Sequence, residues 1–407
     1  QKQIVEDLVS SGIDAIAIVD FPWGPSGGAQ PPADDDDKPE PDAWFPVVQF
    51  APSDETSYTD RSDLIEAPAG QHGAVIRDGA SYRFKEGDPV RFWGVGASIP
   101  GTKAGIKAQA EFFRRMGINL VRLHTVRGHL GRLQDNGGTM GFDPKKMALL
   151  DHYVAQMKAN GIYLQWSVFW KDPVYEEDGY DPELFAELPE SGADGARSSY
   201  AFVNVSRGLQ DIRWNFLKAL LEHVNPETGL SYAKEPALAI LEVQNEDTVF
   251  FHGPLNDLKA ENQAPKHSAI FQKQWSDWVR ARYADDAALT AAWGEGKRRN
   301  DVIAPDTEFA IYGAWEMNAE GPKDRPMERK RMGDFLRFLA ETQREYWTRR
   351  RDEIRSVGFE GVVLSTAWYP GGPAAHAANI YADSALETID RHGYFGGGSH
   401  GYRVVEG

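Results

Sequence analysis

Predicted strands and predicted helices alternate along most of this chain, and this alternation constrains the fold more than any other feature. Short apolar stretches rich in β-branched and aromatic residues lie at 90–96, 118–124, 162–170, 237–247, 362–370 and 387–395. Helical stretches separate most of them, at 104–117, 143–161, 206–223, 266–283 and 327–356. Strands that alternate with helices at this spacing indicate a parallel sheet built from βαβ units.

An open doubly wound sheet and a (β/α)₈ TIM-type barrel both fit six such strands. No Gly-x-Gly-x-x-Gly opens a predicted helix after any of them, so the dinucleotide fingerprint is missing. Polar and aromatic residues instead gather where the strands end: His124, Trp170, Asn245, Glu246, Trp368, His392 and Tyr394. A barrel brings these ends together on one face, where its active site is assembled. We therefore predict a (β/α)₈ barrel.

The segments before the predicted barrel differ from it in character. Residues 1–20 indicate a helix followed by a strand, and the Pro-, Gly- and Asp-rich segment that follows indicates an acidic linker. Its run Asp34 to Asp37 lacks the glycine and distal glutamate of a calcium loop, which favours a solvated linker. We divide the chain into a 1–42 piece and a 43–407 barrel domain that opens with a hairpin near residues 73–90. The chain begins with Gln and no leader, as expected of a processed or partial chain.

Composition excludes several classes of function. The 407 residues include 44 Lys+Arg and 61 Asp+Glu, giving a formal charge of −17, which disfavours a nucleic-acid partner. No run of about 18 apolar residues occurs, so no membrane-spanning helix is expected. Cysteine is absent, which excludes disulfides, thiolate metal sites and a cysteine nucleophile. The sequence leaves a homo-oligomer open.

The strongest candidate for a catalytic group is Glu246, in the run LEVQNED. An apolar strand leads directly into Gln244, Asn245, Glu246 and Asp247. Burial at the mouth of an apolar barrel disfavours the charged carboxylate and raises its pKa toward that of a working general acid. The alternative is a strand-end glutamate that pairs with a helix cap or an arginine.

Arg122 and the pair His392 and Tyr394 add to this candidate site. Arg122 ends the second strand, where a buried guanidinium needs a carboxylate partner, although any structural ion pair would satisfy it. His392 and Tyr394 lie two residues apart and therefore face the same side of an extended strand. They could position a sugar hydroxyl or a carboxylate, or they could be two core side chains.

Other chemistries find weaker support. His124 and His129 are five residues apart, but zinc would require a third ligand nearby, so we predict no metal site. No Gly-x-Ser-x-Gly lies between a predicted strand and a predicted helix, as a nucleophile elbow requires, and no phosphate-binding loop occurs.

In this order on the second, fourth and sixth strands, INLVRLH, LEVQNED and DRHGYF resemble the retaining glycoside hydrolases of clan A, closest to family 5. The opening WFPVVQFAPSDETSYTDRSDLIEAPAGQHGAVIRDG, followed by RFWGVG, resembles a branch of large secreted bacterial enzymes. The resemblance covers residues 43–407. It implies a secreted or periplasmic enzyme that needs no cofactor, with Glu246 as the general acid/base and Asn245 binding the sugar 2-hydroxyl.

The resemblance also implies that Arg122 holds the nucleophile, with His392 and Tyr394 beside it. His124, Trp170 and Trp368 would form subsite walls. Retention needs a second carboxyl about 5–5.5 Å from the first, and in these families it is a glutamate at the end of the seventh strand. Only twelve residues follow Phe395, which is too few for a parallel crossover and a strand, so Glu406 in RVVEG is a weak candidate. We expect the barrel to stop after its sixth strand, with the nucleophile beyond Gly407.

The predicted function is therefore retaining hydrolysis of a β-linked plant or algal polysaccharide or its oligosaccharides. The alternative is a carbohydrate-binding protein that keeps the barrel but lacks the nucleophile. A metal-dependent hydrolase is a third possibility, which a chelator would inactivate.

Overall fold

The structure is a computed structural model. It describes the backbone of residues 17–20, then residues 60–131, 141–192, 195–250, 256, 258, 263–317, 321–367, 373–392, 396–398 and 401–403. Among the predicted site residues, Trp368, Tyr394 and Glu406 lie outside the described residues. The predicted helix before residue 17 and the acidic linker lie outside them as well.

Six parallel strands form a half-barrel in which each strand pairs with the next one along the chain. We label them β1 to β6: Trp93–Ala97, Leu120–Leu123, Tyr163–Phe169, Leu238–Gln244, Val362–Ala367 and Thr388–Arg391. The register sets Val121 opposite both Val95 and Leu164, and Leu241 opposite both Trp166 and Val363. The predicted parallel sheet of six strands is confirmed, with every strand inside the stretch predicted for it or overlapping it.

The sheet has a seventh member that comes from the start of the chain. The strand Ala17–Asp20 pairs in parallel with β1, with Ala17 opposite Trp93 and Asp20 opposite Gly96. It therefore occupies the edge of the half-barrel beside β1, next to which the last strand of a closed barrel would lie.

Helices cover the outer face of the sheet. Those of eight residues or more are Lys103–Arg115, Pro144–Ala159, Arg207–Glu222, Pro265–Arg282, Asp286–Trp293, Arg329–Ser356 and Pro373–Asp383. Shorter helical turns lie at Ser62–Leu64, Val126–Leu130, Glu176–Asp178, Pro182–Phe185, Phe202–Asn204, Tyr232–Lys234, Gly294–Gly296, Ala314–Met317, Gly321–Asp324 and Pro326–Glu328. Thr102, Asp143 and Ser206 cap three of the long helices through their side-chain oxygens. None of the described helices is long and apolar enough to cross a bilayer.

Alternation along the strands separates two environments. Residues such as Val121, Leu164 and Leu241 belong to the large core between the sheet and the helices. Their neighbours Arg122 and Glu242 point to the opposite side, which we call the inner face, because successive side chains of a strand alternate. The polar residues of the site therefore line the inside of the half-barrel.

An antiparallel sheet closes the end of the half-barrel where its strands begin. Its strands are Val75–Asp78, Ser81–Phe84 and Pro89–Val90. Val75 and Tyr82 pack with Leu120 and Ile240 in a second apolar cluster. The Tyr82 hydroxyl lies 2.5 Å from Oγ1 of Thr388, at the start of β6. This end is therefore filled with side chains, and the opposite end carries the polar residues. Short antiparallel strands at Pro173–Val174 and Arg197–Ser198 lie beyond β3.

The segment after β6 does not extend the barrel. Strands Gly396–Gly398 and Gly401–Arg403 pair with each other in an antiparallel two-stranded sheet. The suggestion that RVVEG forms a barrel strand is thus not supported for its first residue, Arg403, which lies in this separate sheet. Only two residues separate these strands, which suits an antiparallel pair, whereas a parallel partner would need a crossover of a dozen or more residues.

Candidate active site

A buried ion pair between Arg122 and Glu242 lies at the centre of the inner face. Oε2 of Glu242 accepts from Nε of Arg122 at 2.9 Å, and Oε1 accepts from Nη2 at 3.0 Å. Gln165 and Ser167, on the intervening strand β3, also donate to Glu242, at 3.1 and 2.9 Å. Four hydrogen bonds therefore surround a carboxylate whose side chain is 0% exposed.

The charge of Glu242 is stabilised by this arrangement. Burial by itself raises the pKa of a carboxyl, but the charge and hydrogen bonds of Arg122 outweigh it, so the pKa of Glu242 lies below its ordinary value. Arg122 has the carboxylate partner that its burial requires, on β4. The further role that the resemblance gives Arg122, holding the nucleophile, stays a prediction.

Arg122 also fixes the side chain of Asn245. Its Nη2 donates to Oδ1 of Asn245 at 2.9 Å. Because the amide oxygen is used in this contact, Asn245 has its amide nitrogen as the donor for any further partner. Asn245 itself is 3% exposed. Its backbone N–H donates to the carbonyl of Phe169 at 2.9 Å, which extends the pairing of β3 and β4 to the mouth of the half-barrel.

Glu246 adopts a left-handed backbone conformation two residues after the end of β4. Its φ is 43°, a region that costs free energy for residues other than glycine and that recurs at active sites. The Tyr200 hydroxyl donates to the Glu246 carbonyl at 3.1 Å. On the other side, the Gln244 amide donates to the carbonyl of Asp247. These contacts hold the turn that presents the Glu246 side chain.

The buried side chain of Asp247 holds the same turn through hydrogen bonds to Asn204 and Ala201. Its Oδ1 accepts from Nδ2 of Asn204 at 2.7 Å and from the backbone N–H of Ala201 at 3.2 Å. Burial raises the pKa of Asp247 to about 6, although the nearby Arg213 acts in the opposite direction. Arg213 donates to both Gln244 and Ser199, and so ties the turn to the helix Arg207–Glu222.

His392 contacts Glu246 directly. Its Nδ1 lies 2.6 Å from Oε1 of Glu246, and the two side chains are 21% and 18% exposed. Burial lowers the pKa of His392, but the hydrogen bond with Glu246 and the charges of Asp390 and Glu242 outweigh it, so the pKa is raised. From the resemblance we expected His392 to lie beside the nucleophile. In the structure it contacts the candidate acid/base, Glu246, instead.

Asp390 lies two residues before His392 on β6 and faces the same side. Burial raises its pKa, and the negative charge of Glu242 raises it further. The charges of His392 and Arg122 act in the opposite direction. The inner face thus holds the carboxyls of Glu242, Asp390 and Glu246 together with the basic side chains of Arg122 and His392.

His124 and Trp170 lie together at the rim. Their ring centroids are 5.2 Å apart, and Nδ1 of His124 lies 3.4 Å from Oγ of Ser167. The ammonium of Lys171 lies 5.0 Å from the centroid of the Trp170 ring. Their role as subsite walls stays a prediction. The described residues contain no group of three His, Asp or Glu side chains arranged to hold a metal ion.

Strained backbone is concentrated at this end of the half-barrel. Four residues other than glycine have a positive φ in the described part of the chain: Thr125, Lys171, Ala201 and Glu246. Three of them lie two residues after the ends of β2, β3 and β4, and the fourth, Ala201, contacts Asp247. Such clustering is typical of functional sites.

Sequence reasoning did not single out Glu242, Asp390, Tyr200 or Lys171. The sequence does contain a clue to Glu242, because it is a charged residue inside an otherwise apolar strand. Since the buried Arg122 requires a carboxylate partner, such a residue is a candidate for it. Tyr200 and Lys171 lie in or next to loops, where no periodic pattern fixes their position.

No family model matches the chain, and no curated protein matches it. Similar solved structures include a β-galactosidase from the psychrophilic Marinomonas ef1, at 14% identity and a TM-score of 0.45, covering 74% of this chain and 40% of that one. A cold-adapted β-galactosidase from Rahnella sp. R3 has 13% identity and a TM-score of 0.49, with 75% and 39% covered. An endo-1,4-β-mannanase from Rhizomucor miehei has 13% identity and a TM-score of 0.32, with 77% and 99% covered.

The chain spans about two fifths of the length of the two β-galactosidases. At these identities and TM-scores the likeness assigns no activity to this chain.

Proposed function

We propose that this chain belongs to a retaining glycoside hydrolase in which Glu246 is the general acid/base. The observation that carries the proposal is the placement of Glu246. The carboxyl is presented from a strained turn at the end of β4, in contact with His392 and next to an asparagine whose orientation Arg122 fixes.

The chemistry assigned to Glu246 has two steps. The protonated carboxyl first donates its proton to the glycosidic oxygen as the bond to the sugar breaks, and the resulting carboxylate then removes a proton from the attacking water. His392 lies within hydrogen-bond distance of Glu246, and its raised pKa favours a protonated imidazole that can share a proton with this carboxyl. The amide nitrogen of Asn245 would donate to the neighbouring sugar hydroxyl.

A retaining mechanism also requires a nucleophilic carboxylate about 5–5.5 Å from Glu246. The resemblance places it at the end of a seventh barrel strand, and Glu406 remains the weak candidate within the chain. We propose that Arg122 and Tyr394 contact this group, that Trp170, His124 and Trp368 line the sugar subsites, and that the enzyme is secreted or periplasmic.

The proposed substrates are β-linked plant or algal polysaccharides or their oligosaccharides. The test is reducing-sugar release from β-glucans, mannans, xylans, galactans and agarose by the parent chain and the Glu246→Gln variant. Glu360→Gln serves as the matched control, because Glu360 lies before β5 at the other end of the half-barrel and pairs with Lys85 on the surface. A parallel assay with a chelator separates out a metal-dependent hydrolase.

We expect the parent and Glu360→Gln to cleave one of these substrates and Glu246→Gln to lose at least a hundredfold of that activity. Binding of a glycan without products would instead favour the carbohydrate-binding alternative. Undiminished cleavage by Glu246→Gln would contradict the role proposed for this residue.

A further inference from the structure

Lys171 is a cation fixed beside the candidate site. It lies two residues after the end of β3 and has a φ of 54°, in the left-handed region. Its ammonium lies 5.0 Å from the centroid of the Trp170 ring and 5.3 Å from that of the Tyr200 ring. Contacts with two aromatic faces restrict a side chain that is otherwise flexible.

These contacts place the ammonium close to Glu246. Trp170 packs against His124 at the rim, and the Tyr200 hydroxyl donates to the backbone carbonyl of Glu246. The charge of Lys171 also reaches the buried Asp247, where it adds to the larger effect of Arg213. Lys171 therefore lies beside the turn that carries the candidate acid/base, with Tyr200 contacting both.

Lys171 forms no ion pair with any carboxylate in the described part of the chain. In this acidic protein several other lysines do so: Lys85 with Glu360, Lys103 with Glu227, Lys158 with Glu235 and Lys266 with Glu183. Lys171 is exposed, so water supplies acceptors for its N–H groups, and an anionic ligand group can take the place of that water. A preorganised, unpaired cation at the mouth of a binding site favours an anionic ligand group.

We propose that Lys171, held by Trp170 and Tyr200, forms a subsite for an anionic substituent of the sugar substrate, either a sulfate ester or a uronate carboxylate. This inference rests on the proposed function, because it names the substrate class of the same site. The net charge of −17 opposes long-range attraction of such a substrate. The lysine therefore acts at contact, and its effect belongs in the equilibrium affinity rather than in the association rate.

The experiment measures dissociation constants by calorimetry for neutral β-linked oligosaccharides of galactose, glucose, mannose and xylose. The same chains bearing sulfate esters or uronate groups are measured beside them, so that the two anion sources are distinguished. The proteins are the parent chain, Lys171→Met, Lys171→Arg and Lys234→Met. The last is the matched control, because Lys234 is exposed and precedes β4 at the opposite end of the half-barrel.

We expect the parent to bind one anionic series about fivefold more tightly than its neutral counterpart. Lys171→Met should abolish this preference, whereas Lys171→Arg and Lys234→Met should retain it. The preference of the parent should also weaken as salt rises from 20 to about 500 mM, which tests the charge without any substitution.

Equal affinity for neutral and anionic chains would overturn the inference, as would a preference that survives in Lys171→Met. Hydrolysis assays on the same panel separate this outcome from failure of the proposed function. Cleavage without an anionic preference would refute the proposed subsite but not the proposed hydrolase activity. If an anionic preference depends on Lys171 but no substrate is cleaved, the proposed subsite is supported and the proposed hydrolase activity is refuted. If no oligosaccharide binds or is cleaved, both are refuted.

Discussion

Replacement of Glu242 by glutamine removes the negative charge at the centre of the inner face while keeping the size of the side chain. The variant leaves Arg122 buried, with a side chain only 8% exposed and without its carboxylate. The new amide can accept from the guanidinium through its oxygen, but its NH₂ group faces the remaining donors from Arg122, Gln165 and Ser167. Both the charge and the hydrogen-bond pattern therefore fail.

The expected cost follows from the burial of the pair. Breaking a buried ion pair by removing one partner costs about 3–5 kcal/mol, because the other charge is left uncompensated. The surface pair between Lys85 and Glu360, whose side chains are 47% and 54% exposed, should contribute about 0–1 kcal/mol. Glu242→Gln should therefore lose at least about 2 kcal/mol more than Glu360→Gln.

Urea unfolding followed by tryptophan fluorescence measures this difference. A loss of about 3 kcal/mol lowers the midpoint by up to about 1 M, because the urea dependence of a chain of this size is at or above the upper end of the range for small proteins. The double variant Arg122→Met, Glu242→Leu should be more stable than Glu242→Gln, because it removes both charges. Equal midpoints for Glu242→Gln and Glu360→Gln would refute the idea that this pair is a stabilising centre of the site.

The same pair predicts how stability depends on pH. Because the folded pKa of Glu242 lies below its unfolded value, its contribution is present above about pH 4.3, the ordinary value for glutamate. The contribution is lost as the pH falls through the folded pKa. The gap in stability between the parent and Glu242→Gln should therefore close on acidification below about pH 4.

Two further substitutions test the contacts of Glu246. In His392→Gln, the loss of stability relative to the parent should be full below about pH 6.5 and should disappear as the pH rises through the raised pKa of His392. The reason is that Glu246, Asp390 and Glu242 stabilise the imidazolium and outweigh both burial and the opposing charge of Arg122. A pH-independent gap in thermal unfolding would contradict this expectation. Tyr200→Phe should cost about 1 kcal/mol of stability, because the hydrogen bond to the Glu246 carbonyl is lost. It should also lower kcat more than KM. An unchanged kcat would show that the turn does not depend on this contact.

Much of the sheet could be predicted from the sequence, because its strands are buried and their apolar runs are continuous. The run INLVRLH became the strand Leu120–Leu123, and the apolar part of LEVQNED became the end of β4. The helix Pro144–Ala159, which lies between two of these strands, begins after the capping residue Asp143. Local sequence specifies these elements because propensity, capping and burial all agree.

Pairing at a distance was less predictable. The parallel pairing of Ala17–Asp20 with β1 joins segments about seventy residues apart in the chain, and no local pattern encodes it. The antiparallel pairing of Gly396–Gly398 with Gly401–Arg403 was not predicted, because RVVEG alone resembles a strand and no local pattern identifies its partner.

The candidate site shows the same division. Burial of Arg122 required a carboxylate, and the sequence alone could not choose Glu242 among the acidic residues. The contact between His392 and Glu246 joins β6 to the end of β4 and depends on the curvature of the sheet. The placement of Lys171 between two rings depends on the loop that carries Tyr200. Such contacts arise from tertiary structure, which residue patterns do not specify.

The dependence of cleavage on the leaving group tests the role of Glu246 most directly. Aryl β-glycosides of the sugar found in the substrate panel would be assayed with the parent chain, Glu246→Gln and Glu360→Gln. If Glu246 is the general acid, Glu246→Gln should lose at least a hundredfold in kcat/KM on phenyl glycosides, whose leaving group needs a proton, and much less on dinitrophenyl glycosides, whose leaving group does not. An equal loss on both substrates, or no loss on either, would contradict the account.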